Sequence, residues 1–389
     1  MALKKFQNLA LYAYFFSLNF EMLNLGGYGS TSKFVSILYL ISISFDIKNF
    51  IISKGIKKFY LPWIVFFLYL TLISILNIGF YTEIDHIFDS TLLLNILFFI
   101  FLVNHERKSP GVLLKGFLSF VFGAILLGIL YYYNIGVEYN YGRMTMFGDN
   151  QNKIATRIAV SIIFIFYFTT TKRVIKRKIK YLLLLPLPLL LQLLFETASR
   201  VSFLSIVLAI LIGVILNKEL KLKRKIIVIG SLVAFIMYFG PTLYQKSELL
   251  VDRLTDIEEK GVTSSRDMVW QNALDIIGSN PIFGVGKSGY IEKSILISGR
   301  NMSPHNVVLE VWALTGLIGL FLFLLFLFRI FKTSYLSFKF DKFMLPFLLL
   351  IPILGQIITG QVLGHKLYWA IFALCVASTF YHEKYLLRK

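Results

Sequence analysis

The sequence predicts an all-α, polytopic membrane protein of about twelve transmembrane helices, with one long external loop carrying short helices between the ninth and tenth. Three observations carry that reading. First, 57% of the 389 residues are hydrophobic and the mean hydropathy is +0.72, more apolar surface than a soluble fold can keep from water. Second, apolar runs of about 17 or more residues recur along the chain, each long enough to span lipid as a helix. Third, Lys and Arg fall in short clusters between those runs, the pattern that sets membrane topology.

The same clustering explains the formal net charge of +19. In a soluble chain it would suggest nucleic acid. Interleaved with apolar runs it marks cytoplasmic loops, and no nucleic acid is expected as a partner. The single cysteine, Cys375, lies inside an apolar run, so neither a disulfide framework nor a cysteine metal site is expected. The first apolar stretch lacks a small-residue cleavage pattern and is expected to stay as a membrane helix.

Lys4 and Lys5 place the N-terminus in the cytoplasm. Spans are predicted over 6–23, 34–52, 60–78, 91–104 and 112–133, with basic loops around Lys54–Lys58 and Arg107–Lys108 inside. The segment 134–153 is an outer loop, and a sixth span covers 154–171. The cluster Lys172, Arg173, Lys176, Arg177, Lys178 and Lys180 is the strongest inside signal. Spans seven and eight, 181–195 and 201–216, form a hairpin whose tip, Glu196 to Arg200, lies outside. After the basic run Lys218–Lys225, span nine covers 226–244. The loop 245–304 follows. Between 245 and 303 it holds seven basic and eight acidic residues, a balance that suits the external side. Spans ten to twelve cover 304–331, 343–358 and 367–380, and both termini lie inside. No internal repeat or low-complexity linker interrupts the chain, which reads as one domain over 1–389.

Polar residues collect in three outer segments: 134–153, 196–200 and 245–305. Within the last, Ser264 to Ile277 reads as an amphipathic helix, capped by Ser264, with Gly278 supplying a left-handed end and Asn280-Pro281 preventing resumption. Its bland reading is a surface helix packed on the bundle. Gly284 and Gly286 would give backbone amides room to approach an anion, a weak signal alone. Ser303 suits an N-cap and Pro304 the first helical position, which puts His305 and Asn306 in the first turn of span ten. A helix N-terminus attracts phosphate, and its field keeps an imidazole neutral and able to accept a proton. The alternative is a satisfied interfacial histidine. Arg143, Arg200 and Arg266 are outer arginines suited to phosphate oxygens. Taken singly, each also reads as a headgroup contact. No paired-aspartate motif, phosphate loop or serine-nucleophile motif is present, and neither metal nor cofactor is expected.

His305-Asn306, nine residues, then Gly316-Leu-Ile-Gly319 resembles the signature of bacterial O-antigen ligases and the related Wzy-type O-antigen polymerases. Arg266, Trp270, Asn280-Pro281, Gly284 and Gly286 resemble the long external loop of that family. Gly148, Asn150, Asn152 and Ala155 resemble its entry to a middle helix, and Ser199-Arg200 its hairpin tip. The four matches follow the family's order over about 143–319; outside them only hydropathy agrees. The resemblance implies a metal-independent glycosyltransferase at the outer face of the inner membrane. Its donor would be a glycan on undecaprenyl pyrophosphate. Arg200 and Arg266, with Arg143, would hold the leaving diphosphate, and His305 would deprotonate the acceptor. Asn150, Asn152, Ser199, Trp270, Tyr290 and Asn306 are the associated binding candidates. The acceptor would be a lipid-linked repeat unit in a polymerase, the favoured reading, or lipid A–core or a protein hydroxyl in a ligase. A chain-length-regulating co-polymerase is the candidate protein partner. A glycan-lipid transporter is the third alternative; it would show repeated halves or mid-membrane charges.

Overall fold

The computed structural model describes residues 2–24, 30–51, 54–140, 142–171, 182–234, 236–238, 240–241, 265–360 and 363–380, with the side chains of 54 and 265–267 outside that description. Helices dominate. In order they are α1 (Ala2–Ser17), α2 (Thr31–Ser44), α3 (Lys48–Ile51), α4 (Lys57–Leu76), α5 (Ile84–Ile87), α6 (Ser90–Lys108) and α7 (Val112–Tyr132). A hairpin of β1 (Val137–Asn140) and β2 (Arg143–Met146) comes next, then α8 (Gln151–Thr170), α9 (Leu187–Glu196) and α10 (Arg200–Leu216). Residues 222–234 are helical. The series ends with α11 (Ser265–Ser279), α12 (Gly286–Ser298), α13 (Val307–Asp341), α14 (Leu345–Thr359) and α15 (Lys366–Ala377).

Among the described residues four helices, α4, α7, α8 and α13, are long and apolar enough to cross a membrane, and α2, α9, α10, α14 and α15 are shorter apolar helices. The chain is a membrane protein built of apolar helices. Several boundaries depart from the sequence reading. The second predicted span divides into α2 and α3, separated by a turn at Phe45–Ile47. The seventh starts late, because Pro186 sits at the N-cap of α9 and Pro188 within its first turn, where the missing amide costs nothing. The segment 134–153 holds an antiparallel hairpin, registered Val137 to Met146 and Asn140 to Arg143. Its turn uses Gly142 at φ +72°, a backbone state other residues seldom adopt.

The chain forms two compact units, one drawn from 1–50, 105–251 and 342–355, the other from 51–104, 252–341 and 356–389. In the first, α8 is the central helix. Every residue from Ile154 to Phe168 is buried, so it is enclosed on all sides, and it packs on α7, α9, α10 and β2. Beside it α1 lies against α7, with the Phe15 and Phe117 rings 4.9 Å apart. In the second unit, α4, α13 and α15 meet around Trp63, whose ring lies 4.9 Å from Trp369 and 5.2 Å from Phe326. Lipid is as apolar as these side chains, so the gain on assembly comes from close packing more than from transfer out of water.

Candidate active site

The segment carrying His305 is an irregular strap fixed at three points. Gly299 ends α12 in the left-handed region, its amide donating to Ile295 O at 2.8 Å. From there the chain runs back along α12. Ser294 Oγ accepts from Met302 N at 3.0 Å. Tyr290 Oη donates to Met302 O at 2.8 Å, and Trp270 Nε1 on α11 donates to Pro304 O at 3.0 Å. Burial, reinforced by the Glu310 carboxylate, raises the Tyr290 phenol above its ordinary range, so it stays a donor. Trp270 and Tyr290 therefore hold the strap with their polar atoms.

The start of α13 differs from the sequence expectation. Pro304 is not in the helix and Ser303 does not cap it; the helix begins at Val307. Asn306 is the cap, its Oδ1 accepting from Val308 N at 3.0 Å and Leu309 N at 3.2 Å. An amide side chain caps as well as a serine does, and here it satisfies two amides that a phosphate would otherwise need. Direct cradling of an anion on those amides is thereby overturned. His305 sits one residue earlier, exposed, at φ +47°. Such a backbone is uncommon for a non-glycine residue and concentrates at functional sites.

The glycine-rich stretch also takes another role. Gly278 does not end α11, which runs through to Ser279 before Asn280-Pro281 turns the chain. Gly286 starts α12, and the backbone at 281–285 is pressed into a break in α13. Gly316 lies inside α13 at φ 62°, ψ −165°, far from helical values. The groups released there are met by the loop: Val285 N donates to Ala313 O at 3.0 Å, and Leu317 N to Pro281 O at 3.0 Å. Trp312 Nε1 adds a bond to Pro281 O at 3.1 Å. A Cβ on Gly284 would stand 2.5 Å from the backbone nitrogens of Thr315 and Gly316. These glycines permit backbone-to-backbone contact, and the expectation of open amides for an anion is corrected. The nine residues between Asn306 and Gly316 are the helical segment from cap to kink.

A cavity of about 360 Å³ opens beside the strap. Its polar lining includes Asp89, Thr91, Lys287, Tyr290, Asn301, Ser303 and Glu310, set over Phe66, Leu70, Leu92 and Leu314. Lys287 Nζ pairs with Asp89 Oδ2 at 3.2 Å, while Asp89 Oδ1 accepts from Leu92 N at 2.9 Å. Glu310 is half-buried, and its carboxylate makes no hydrogen bond among the described residues. Glu310 is not among the candidate residues named from the sequence. Its signal was a carboxylate in the first turn of a long apolar helix, where charge is costly without a partner or a task.

In the other unit a second set of predicted residues gathers. Arg143, at the start of β2, donates through Nε to Thr197 O at 2.9 Å and through Nη2 to Asn152 Oδ1 at 2.9 Å. Asn150 caps α8, accepting from Asn152 N at 2.9 Å. The guanidinium thus ties the hairpin to the turn that launches α10. Ser199 is buried, with its hydroxyl 3.3 Å from Ser202 Oγ. Arg200 is the first residue of α10 and is exposed. Behind them lies a group the sequence reading missed: buried Arg157 pairs with Asp149 and, at 2.9 Å, with Glu21. Asp149 Oδ1 also accepts from Asn150 N at 2.8 Å, so the ion pairs brace the loop that holds Arg143. Arg266 lies in the first turn of α11, with its side chain outside the described residues.

Residues 185–324 match the family model Wzy_C, O-antigen ligase. That span contains Ser199, Arg200, Arg266, Trp270, Tyr290, His305 and Asn306, and it begins after Arg143, Asn150 and Asn152. No curated protein matches the chain. The family match supports the O-antigen ligase and Wzy family, with a glycosyltransferase-like activity on lipid-linked glycans; it does not separate ligase from polymerase.

Proposed function

We propose that this chain is a surface-polysaccharide polymerase, transferring a growing glycan from undecaprenyl pyrophosphate to one lipid-linked repeat unit. The family match over 185–324 carries the reading, because the matched segment contains Arg200, Arg266 and His305. In the proposed step the acceptor hydroxyl oxygen bonds to the donor's anomeric carbon as the bond from that carbon to the diphosphate oxygen breaks. The hydroxyl proton passes to the His305 imidazole. Arg200, Arg266 and Arg143 meet the charge that develops on the leaving diphosphate, a task that fixed guanidinium groups perform without a metal. Asn150, Asn152 and Ser199 support that arginine set; Trp270, Tyr290 and Asn306 hold His305 at the mouth of its helix. The enzyme sits in the bacterial inner membrane with about twelve spans, both termini in the cytoplasm and the site on the external face. A chain-length-regulating co-polymerase is its proposed partner.

A ligase reading is favoured by the family that matches, O-antigen ligase. The donor and the chemistry are the same, and the acceptor is lipid A–core or a protein hydroxyl. A deletion strain separates the two. Loss of long chains, with single repeats still joined to the core, identifies a polymerase. Long carrier-linked polymer beside a bare core identifies a ligase. Unchanged surface glycan overturns both.

A further inference from the structure

We propose that the cavity between α4, α6, α12 and the head of α13 is a carbohydrate subsite that holds the acceptor sugar, with the Glu310 carboxylate accepting from its hydroxyls. The inference rests on the glycosyltransferase reading above and names where the acceptor binds.

Size, lining and position all point the same way. At about 360 Å³ the cavity is near the small end of ligand pockets, suited to one or two sugar rings and too small for an extended chain. One wall is apolar, with the Phe66 ring beside Leu70, Leu92 and Leu314. The other carries carboxylates, an ammonium, an amide and a hydroxyl: Asp89, Glu310, Lys287, Asn301 and Ser303. A sugar has that same division, with C–H faces on one side and hydroxyls around the edge. Asp89 and Glu310 stand against the single Lys287, so the lining holds no excess of positive charge. That balance disfavours a diphosphate and favours a neutral ligand rich in donors.

Polar satisfaction singles out Glu310. Asp89 is engaged by Lys287 and by the Leu92 amide. Tyr290 gives its proton to Met302 O. Glu310 faces the cavity with no hydrogen bond among the described residues. A carboxylate so placed offers several acceptor sites to hydroxyl donors. The wall made by Asn301, Ser303 and Pro304 is the same strap that ends in His305, so a sugar held here lies against the chain segment that presents the proposed base.

The test is direct binding, measured separately from transfer. The full chain in nanodiscs is titrated with the carrier-free repeat oligosaccharide released by mild acid from the producing strain's glycan, and followed by saturation-transfer NMR. The wild type is expected to bind. Glu310→Gln, which keeps shape and loses charge, is expected to bind at least tenfold more weakly. Asn301→Trp, at an exposed position on the cavity wall, is expected to block binding. His305→Ala is expected to bind as wild type does while losing transfer. No binding by the wild type, or equal binding by Glu310→Gln and Asn301→Trp, overturns the subsite. Binding that follows the predicted order without any transfer by the wild type upholds the subsite and overturns the glycosyltransferase reading. Transfer by the wild type with binding untouched by both variants does the reverse.

Discussion

Replacing Gly284 by alanine strikes the contact that shapes α13. Gly284 has φ +77°, and a Cβ there would lie 2.5 Å from Thr315 N and Gly316 N. Two costs follow. An L-residue in the left-handed region costs about 1–2 kcal/mol. The collision is with backbone that no side-chain rotation can clear, and overpacking of that kind costs about 1–3 kcal/mol. The alternative is for the loop to withdraw, giving up Val285 N to Ala313 O and Leu317 N to Pro281 O, bonds worth about 1 kcal/mol each and more when their groups stay buried. By either route the penalty is about 2–5 kcal/mol, a large share of an ordinary stability of about 5–15 kcal/mol. The chain carries its own probe, because its one cysteine, Cys375, is fully buried. A thiol-reactive dye in detergent therefore reads unfolding with no added label. Gly284→Ala is expected to lower the midpoint by roughly 5 °C or more. Gly278→Ala, where a Cβ meets nothing within 4 Å, is the control and is expected to hold or raise it, by about 0.5–1 kcal/mol of helix propensity. Equal midpoints for Gly284→Ala and wild type would refute the interlock.

Three further outcomes follow from the same geometry. Asn306→Ala removes the acceptor for Val308 N and Leu309 N and is expected to cost about 1 kcal/mol; Asn306→Asp should recover most of it, and an unchanged dye midpoint in the alanine variant would remove Asn306 as the cap. Trp270→Phe deletes the bond to Pro304 O but keeps the ring; it is expected to lower transfer several-fold with the midpoint shifted by about 1 kcal/mol or less, and wild-type transfer would show that the strap needs no such tether. Arg157→Met leaves buried Asp149 and partly exposed Glu21 beside an apolar side chain and is expected to cost about 3–5 kcal/mol. Adding Asp149→Asn and Glu21→Gln should restore much of that loss, and a triple variant no better than the single would count against the charge imbalance as the cause.

Hydropathy and charge clusters were enough to read an all-helical membrane chain, because a span must be apolar over its length whatever it packs against. They could not place α2, α3 or α9, where the end of a helix is decided by one turn or one proline. The site was legible as a set of residues and much less so as an arrangement. His305-Asn306 stood out, yet Ser303 and Asn306 are both good caps, and only the path of the strap decides between them. Gly284 read as loop freedom and Gly316 as part of a helical signature, while their use, a backbone contact between residues 32 apart in sequence, depends on packing no local pattern encodes. Arg157 was invisible for the opposite reason. Its partners, Glu21 and Asp149, come from distant segments, and a lone arginine near the head of an apolar helix looks like a headgroup contact until they are in place.

The most direct test of the chemistry is release of undecaprenyl pyrophosphate from a labelled lipid-linked repeat unit, measured on reconstituted protein in the presence of a metal chelator. Wild type is expected to release the carrier and lengthen the glycan. His305→Ala and Arg200→Ala are expected to do neither while keeping the wild-type dye midpoint, and Arg266→Lys is expected to be impaired because a lysine cannot reproduce the guanidinium fork. Carrier release at the wild-type rate by His305→Ala and Arg200→Ala would contradict a mechanism in which an imidazole takes the acceptor proton and guanidinium groups hold the departing diphosphate.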